Sequence, residues 1–388
     1  MKNNKKVVLI CTLLITSIFT ITSSSVVADE NIIYVDDDAP IDWYDEIHVK
    51  TIQEGIDIAS DGDTIFVYSG TYYGLIIINK TLTLTGEEKT STIIDGQQLG
   101  EDTITVTAPI FFISGFTIRN SPRGSGYNSG LKLENADDSV IENNIFTDNC
   151  WAAEIRSSSH CILSDNLVID NEQGGVHLPM SPSTQVTGCT FSGNDKKGLA
   201  IFKGNDHLIS SNTFIDCGIE INSQPPPGDM VHCTMKDNTV NGKPLVYLEN
   251  ENGKFIRDAG QIILNQCTGI VIRNLNLSNT STGISVYKSG FISILGNTLT
   301  NNFHGIRIVN SFLVNIRNNK INHNWYNGVG FSGNVLCRLS FNEITENYIG
   351  LYLHGSTFTM PYLNRIHSNR NCNLFVSPLF MPWSFQIF

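Results

Sequence analysis

The sequence has no CxxC pair, few basic residues and, after its first segment, no long apolar run. Nine cysteines are present, and the eight after Cys11 are spread widely. An even number in an exported chain permits disulfides, but most of these cysteines fall at repeat positions that small apolar residues also occupy. They are therefore interpreted as free core or turn thiols.

Basic residues number 25 against 37 acidic ones, which gives a formal net charge of −12. Three of the lysines lie within the first six residues, so the rest of the chain carries 22 against 37, a net charge of −15. Because such an acidic surface repels phosphate backbones, a nucleic-acid partner is not expected.

The first 28 residues are typical of a secretory signal. The early lysines precede an apolar run over 7–21, and small residues ending at Ala28 suit cleavage before Asp29. The alternative is an uncleaved membrane anchor, but the run is short for a bilayer span. The sequence therefore predicts a secreted, periplasmic or cell-surface protein that is not an integral membrane protein after cleavage.

The rest of the chain is dominated by a repeat of about 22 residues. Its anchor is an Asn, followed two residues later by an apolar residue. Cys189 and Leu275 replace Asn in two copies, and two longer gaps indicate insertions. The Asn anchors are Asn144, Asn166, Asn212, Asn238, Asn297, Asn319, Asn342 and Asn364.

Each repeat contains three short stretches in which apolar and polar residues alternate, separated by Gly- and Asn-rich turns. Alternation with period two predicts strands with one inward face, and no later stretch has the period of a long helix. Coils of constant length stack so that equivalent strands pair in parallel, about 4.8 Å apart. The predicted fold is an all-β, right-handed parallel β-helix of ten or more coils, in which stacked Asn side chains bond along the axis.

The start of this β-helix is predicted to be capped by a helix. Thr51 and Glu54 fit a capping box, in which the two side chains bond each other's backbone N–H groups. Residues 241–258 are expected to protrude from one coil as a hairpin or flap, and residues after 370 to form a lid or a truncated end. The predicted regions are a signal over 1–28, a cap with irregular rungs over 29–110, repeats over 111–370 with insertions near 222–230 and 241–258, and a tail over 371–388.

The pattern from Gly305-Ile306-Arg307-Ile308 to Asn324 resembles the pectin-lyase-like β-helix proteins, and more closely the NosD or CASH type of β-helix repeat. The resemblance implies the fold, but the same coil carries many functions. The start, from Lys50, is similar to the cap of pectin methylesterases. However, the DFIFG-like motif of those esterases, the NTD, GHG and RIK signatures of polygalacturonases and the DPHD motif of alginate epimerases are all absent.

A mixed-charge patch is the first candidate site. Lys132, Glu154, Arg156 and His177 fall on outward positions of neighbouring coils. Charged side chains on adjacent rungs are where a lyase or hydrolase of this fold carries its catalytic groups. The alternative is a solvated face with ion pairs between rungs.

An aromatic column is the second candidate. Phe303, Trp325 and Tyr348 lie six residues after successive anchors. Stacked rings on a rigid sheet are suited to gripping the apolar faces of sugars. The alternative is an aromatic stack that only packs the corner.

Residues suited to metals form the third candidate. Asp206, His207, His232 and Cys233 fall on matching positions of two coils, and thiolate and imidazole ligands suit copper. The NosD resemblance implies a copper-accessory role, whereas inward packing is the alternative for Cys233. Three aspartates, Asp36 to Asp38, are a candidate calcium site or simply a charged strand end.

The leading hypothesis is therefore an exported module that binds polysaccharide or envelope components through a rigid face. The alternatives are a polysaccharide lyase or hydrolase, and a copper-accessory protein of the NosD type.

Overall fold

The computed structural model describes residues 31–124, 126–221, 231–357 and 359–377. The predicted signal segment, the proline-containing insertion at 222–230 and the last eleven residues lie outside the described residues. The described residues from Ile32 onward belong to one compact unit. Nearly every strand in them pairs in parallel, which confirms the predicted parallel β-helix. No helix in these residues has the length and apolarity needed to cross a bilayer.

Residues 32–240 form a first stack of rungs with three sheets. Sheet A contains His48–Val49, Ile32–Val35, Thr64–Val67, Thr83–Gly86, Phe112–Ser114, Val140–Glu142, Ile162–Ser164, Gln185–Thr187, His207–Ser210 and Cys233–Lys236. The first half of sheet B contains Gly70–Tyr73, Thr92–Asp95, Thr117–Arg119, Ile145–Thr147, Leu167–Ile169, Thr190–Ser192, Thr213–Ile215 and Thr239–Val240. Sheet C contains Ile76–Ile78, Ile104–Val106, Ser129–Glu134, Trp151–Arg156, Gly174–Pro179, Lys197–Phe202 and Gly218–Ile221.

Residues 243–377 form a second stack. The second half of sheet B contains Lys243–Glu249, Gln261–Asn265, Thr282–Tyr287, His304–Val309, Asn327–Ser332, Ile349–His354 and Cys372–Ser377. Sheet D contains Phe255–Ile256, Val271–Arg273, Ser293–Leu295, Asn315–Arg317, Arg338–Ser340 and Met360–Tyr362. Sheet E contains Asn276–Ser278, Thr298–Thr300, Lys320–Asn322, Glu343–Thr345 and Arg365–His367.

The joint between the stacks differs from the sequence-based prediction. Thr239–Val240 pairs antiparallel with Lys243–Glu249, which then pairs in parallel with Gln261–Asn265. Asn241 and Gly242, with φ of 51° and 74°, form the two-residue hairpin turn that this sequence favours. Residues 241–258 are therefore not a protruding flap, because they begin the second stack.

The second stack also covers the end of the first. Ile263, Tyr287 and Val309 point outward from sheet B, yet all three are buried in the core cluster of the first stack. The Tyr287 hydroxyl donates to the Ile221 carbonyl oxygen at 2.9 Å. Since an open solenoid end exposes both core and strand edges, this contact protects the first stack at its last rungs.

Two apolar cores and ladders of stacked Asn side chains hold the rungs together. The residues two past the anchors, such as Phe146 and Ile321, are buried as predicted, except that Ile366 in the last coil is only partly buried. Within a ladder, each amide nitrogen donates to the oxygen of the next Asn, as from Asn297 to Asn319 at 3.0 Å. At Cys189 the sulfur takes the place of that oxygen, 3.9 Å from the Asn166 amide nitrogen.

Helix α1, Ile52–Ile58, caps the start of the first stack, and a 3-10 helix spans Ile41–Trp43. The capping box of Thr51 and Glu54 is present as predicted. At the other end, the segment expected to form a tail begins with the strand Cys372–Ser377, which pairs with Ile349–His354 and extends sheet B.

Candidate functional site

The four residues of the mixed-charge patch lie together on the outer face of sheet C. Lys132, Glu154 and His177 are register partners on three successive strands. Arg156 lies two residues beyond Glu154 on the same face. The parallel register, which repeats one position per rung, therefore brings together side chains that are 22 or 23 residues apart in sequence.

Glu154 is the buried centre of this patch, with 2% of its side chain exposed. Its Oε1 lies 2.6 Å from Arg156 Nε, and its Oε2 lies 3.7 Å from His177 Nδ1. Burial raises the pKa of Glu154, but the His177 and Arg156 side chains outweigh burial and hold the pKa below its ordinary value. Glu154 is therefore an ionised anchor that orients a guanidinium and an imidazole.

Aromatic rings frame the imidazole. The Trp151 ring stacks on the His177 ring with centroids 5.1 Å apart. The exposed Tyr127 ring also stacks on the His177 ring, with centroids 6.4 Å apart. Lys132 takes a different role, since its Nζ lies 3.2 Å from Glu134 and 3.8 Å from Asp102. The patch thus divides into an outlying ion-pair group and an aromatic-framed group around His177.

A cleft of about 330 Å³ opens over the second group. At its far side Lys197 Nζ lies 3.7 Å from Glu220 and 4.8 Å from the centroid of the Phe303 ring, which belongs to the second stack. The side chains that line it include Tyr127, Trp151, Arg156, His177, Phe202, Lys197 and Glu220.

Sequence reasoning did not identify Tyr127, Trp151, Lys197 or Glu220 as site residues. Glu220 occupies the outward column of Glu154 and His177, because it pairs with Ala200. However, the register shifts between Lys197 and Leu199, so this rung breaks the 22-residue spacing. A search for a further strand beginning at Gly218 would have found Glu220.

The aromatic column differs from the prediction by one residue. Phe303, Tyr326 and Tyr348 form the stack, with successive centroids 6.0 and 5.8 Å apart. The Trp325 N–H donates to the Asn302 carbonyl, so Trp325 keeps the predicted backbone position, but the ring that stacks between Phe303 and Tyr348 is that of Tyr326. Trp325 is 56% exposed and lies beside the column.

The four predicted metal ligands lie on two sides of their strands. Asp206 is exposed, and His232 pairs with Glu249 outside the core. His207 and Cys233 are instead buried register partners. A single ion therefore does not fit all four residues.

His207 and Cys233 alone fit a soft metal ion better. Both ring nitrogens of His207 lack a hydrogen-bond partner among the described residues, although the side chain is 1% exposed. Burial lowers the pKa of His207 to about 4 and raises the pKa of the Cys233 thiol. A neutral imidazole beside a thiol offers two soft donors, and metal binding at the thiol would release its proton.

The aspartates Asp36, Asp37 and Asp38 hold their carboxylate oxygens within 4.8 Å of one another. Among the described residues, this is the one group of three or more Asp, Glu, His or Cys side chains whose potential ligand atoms lie within that distance of one another. Burial raises the pKa of Asp36. Crowded carboxylates of this kind also occur at strand ends without an ion, so the calcium site stays a prediction.

Comparisons with known proteins identify a family. The model of the family described as "Periplasmic copper-binding protein (NosD)" matches residues 56–225 and 231–377. Among curated proteins, none matches the chain. Similar solved structures include the A-module of the Azotobacter vinelandii mannuronan C-5 epimerase AlgE4, at 14% identity and a TM-score of 0.46, covering 84% of this chain and 95% of that one. The catalytic domain of a GH87 alpha-1,3-glucanase in complex with nigerose aligns at 10% identity and a TM-score of 0.47, covering 93% and 70%.

Proposed function

The chain belongs to the NosD family, and we propose that it is an exported protein that binds a polysaccharide in the cleft on sheet C. The observation that supports this function best is the cleft itself, where exposed aromatic and apolar side chains stand beside oriented polar groups. Tyr127 offers a ring face to a sugar, while Arg156, Lys197 and Glu220 offer donors and acceptors to its hydroxyl groups.

Binding without bond cleavage fits the electrostatics of the patch. A glycoside hydrolase needs one carboxylic acid with a raised pKa to protonate the leaving oxygen. The pKa of Glu154 is lowered instead, and its two oxygens face Arg156 and His177. Glu154 is thus suited to holding those side chains in place, and it does not meet the hydrolase requirement for an acid of raised pKa.

A polysaccharide panel tests this function. Affinity is measured by calorimetry on neutral and acidic polysaccharides, and reducing ends and unsaturated products are assayed in the same samples. We expect retention of one class without product. Tyr127→Ala is expected to weaken binding about tenfold, the scale of one lost ring contact.

Tyr73→Ala is the matched control, because Tyr73 is equally exposed on the first stack but lies outside the cleft. Equal losses in the two variants would contradict binding in the cleft. Product release that depends on Glu154 or His177 would favour the enzyme alternative.

Copper binding is the second candidate, favoured by the buried, unpartnered imidazole of His207 beside Cys233. A competition between the protein and a chromogenic Cu(I) chelator measures it. We expect one Cu(I) per chain, lost in His207→Leu and in Cys233→Ser but retained in His232→Ala, because His232 pairs with Glu249 instead. Retention of Cu(I) in the double variant of His207 and Cys233 would contradict this site.

A further inference from the structure

One turn of the second stack has an unusual composition. Six residues before most anchors, the chain turns through the left-handed backbone region in both stacks. In the second stack this position holds Gly269 and then Phe291, Leu313 and Leu336, the last three with φ of 55°, 51° and 56°. All three side chains are exposed, Phe291 by 55% and Leu336 by 53%.

The first stack provides the internal comparison. Its residues at the same position are mostly polar: Ile110, Asp138, His160, Ser183 and Asp206. Asp and Asn tolerate the left-handed region, whereas bulky apolar residues pay for it in backbone energy. The apolar residues of the second stack therefore do not serve the turn, since a polar residue would make it at lower cost.

Two further apolar residues border the same sheet on its other side, at its last two coils. Phe341 and Leu363, with φ of 56° and 54°, occupy the turn that connects sheet D to sheet E. Leu363 is 68% exposed. The earlier coils of the second stack hold Asn274, Gly296 and Asn318 at this turn, and the first stack likewise holds small or polar residues, Asn143, Asp165, Gly188, Ser211 and Asp237. Sheet D is thus bordered by two apolar rims, a longer one formed by Phe291, Leu313 and Leu336 and a shorter one formed by Phe341 and Leu363 at its last coils.

The outer face of sheet D is basic. Arg273, Arg317 and Arg338 are exposed on it, and none forms an ion pair with another described residue. The Arg317 guanidinium lies 5.0 Å from the centroid of the Phe341 ring, at the border with the rim. In a chain of net charge −12, this face concentrates positive charge where the first stack has Glu142 and Lys236 at equivalent positions.

We propose that sheet D and its two apolar rims bind the surface of an anionic lipid bilayer. Arginines near such a surface are attracted to lipid phosphates, and single apolar side chains at turn tips enter the headgroup region. Both contributions are needed for stable attachment, because either alone gives weak and reversible binding. A row of separate turn tips on each side of a sheet suits a laterally fluid surface.

Vesicle sedimentation tests the proposal, using residues 32–388, which hold both cores and exclude the apolar run at 7–21. We expect binding to vesicles of phosphatidylglycerol with phosphatidylcholine, weakened by salt, and little binding to phosphatidylcholine alone. The triple variant Arg273→Gln, Arg317→Gln, Arg338→Gln is expected to lower the partition coefficient at least about tenfold. The double variant Leu313→Asn, Leu336→Asn is expected to lower it as well, with no loss of folding.

The matched controls are Lys236→Gln and Ile110→Asn, which make the same kinds of change at equivalent positions of the first stack. They are expected to leave vesicle binding unchanged. The proposal is overturned if the controls reduce binding as much as the sheet D variants, or if phosphatidylcholine alone binds equally well. It is also overturned if a soluble acidic polysaccharide occupies sheet D in preference to vesicles, as shown by loss of that binding in the arginine variant.

Discussion

The two stacks use one rung architecture with different surfaces. In both, inward apolar columns and Asn ladders define the coil, so their cores are similar. Outside, the first stack has a buried carboxylate, Glu154, and a cleft on sheet C. The second stack has Ser285 and Arg307 on the corresponding columns, and apolar rims around sheet D. The comparison shows that the inward columns specify the fold, while the outward columns and turns are free to specify binding.

At the joint between the stacks, an outward residue of the second stack contributes to the core of the first, so substitutions there test how far the two stacks depend on each other. Replacing Tyr287 with Ala removes a ring that is 2% exposed and its hydrogen bond to Ile221. We expect the free energy of unfolding to fall by about 4 kcal/mol, as for other large buried aromatic residues. Calorimetry is expected to resolve two transitions, one for each stack.

Tyr352→Ala serves as the control, because Tyr352 lies on the same sheet far from the joint and stacks on Phe375. If both variants unfold in one cooperative transition, the stacks are a single unit and the comparison between them loses its thermodynamic basis.

The Asn ladders should matter equally in both stacks. Asn319→Ala removes the acceptor of the Asn297 N–H and amide groups, and the donor to the Ile294 carbonyl. Because buried partners are left unsatisfied, we expect a loss of about 3 kcal/mol in chemical denaturation. Asn322→Ala, at an outward position of the same rung, is expected to lose much less. Similar losses would show that the ladder is not a main source of stability.

The buried carboxylate of the first stack predicts an acid sensitivity centred on the cleft. Glu154→Gln replaces hydrogen bonds to a charged group by neutral ones, so we expect a loss of about 2 kcal/mol at neutral pH. Because the pKa of Glu154 is lowered on folding, its stabilisation is present at neutral pH. It is lost as the pH falls below about 4.3, where the unfolded chain takes up the proton more readily.

Urea denaturation as a function of pH measures this contribution. The difference in free energy of unfolding between the parent and Glu154→Gln is expected to shrink in acid. The control is Glu134→Gln, because Glu134 is a half-exposed partner of Lys132 and its loss should change stability little at any pH. A difference that stays constant with pH would mean that Glu154 acts through packing alone.

The smallest effect concerns the apolar rim. Leu336→Asn relieves a bulky side chain of a left-handed backbone, and we expect stability to rise by about 0.5–1 kcal/mol. The reciprocal change in the first stack, Ser183→Leu, is expected to lower stability by a similar amount. Thermal unfolding of both variants measures these two changes. A loss of stability in Leu336→Asn would show that the Leu336 side chain contributes packing to the fold.

Much of the architecture was predictable because it is periodic. The anchor Asn residues, the buried positions two residues later and the capping box of Thr51 and Glu54 follow from local pattern alone. The clustering of Glu154, Arg156 and His177 followed from the same periodicity, since parallel register converts repeat position into spatial proximity.

The remaining features depend on departures from the period. The hairpin turn at Asn241 begins a new stack, and no sequence pattern shows that Tyr287 then packs on Ile221. The bulge near Lys197 hides Glu220 from a search based on spacing. A one-residue offset likewise moves the aromatic stack from Trp325 to Tyr326. Each of these is a tertiary contact or a local irregularity, and the spacing of the repeat in the sequence does not predict either.

The hairpin at Asn241 also separates the growth of the two halves. In a solenoid, duplication or deletion of a whole coil changes length without disturbing its neighbours. Coils gained or lost at the far ends of the two stacks would leave the contact of Tyr287 with Ile221, and the coils that line the cleft, in place. The reach of the first stack and the reach of the second can therefore evolve independently, by gain or loss of coils, around an unchanged joint.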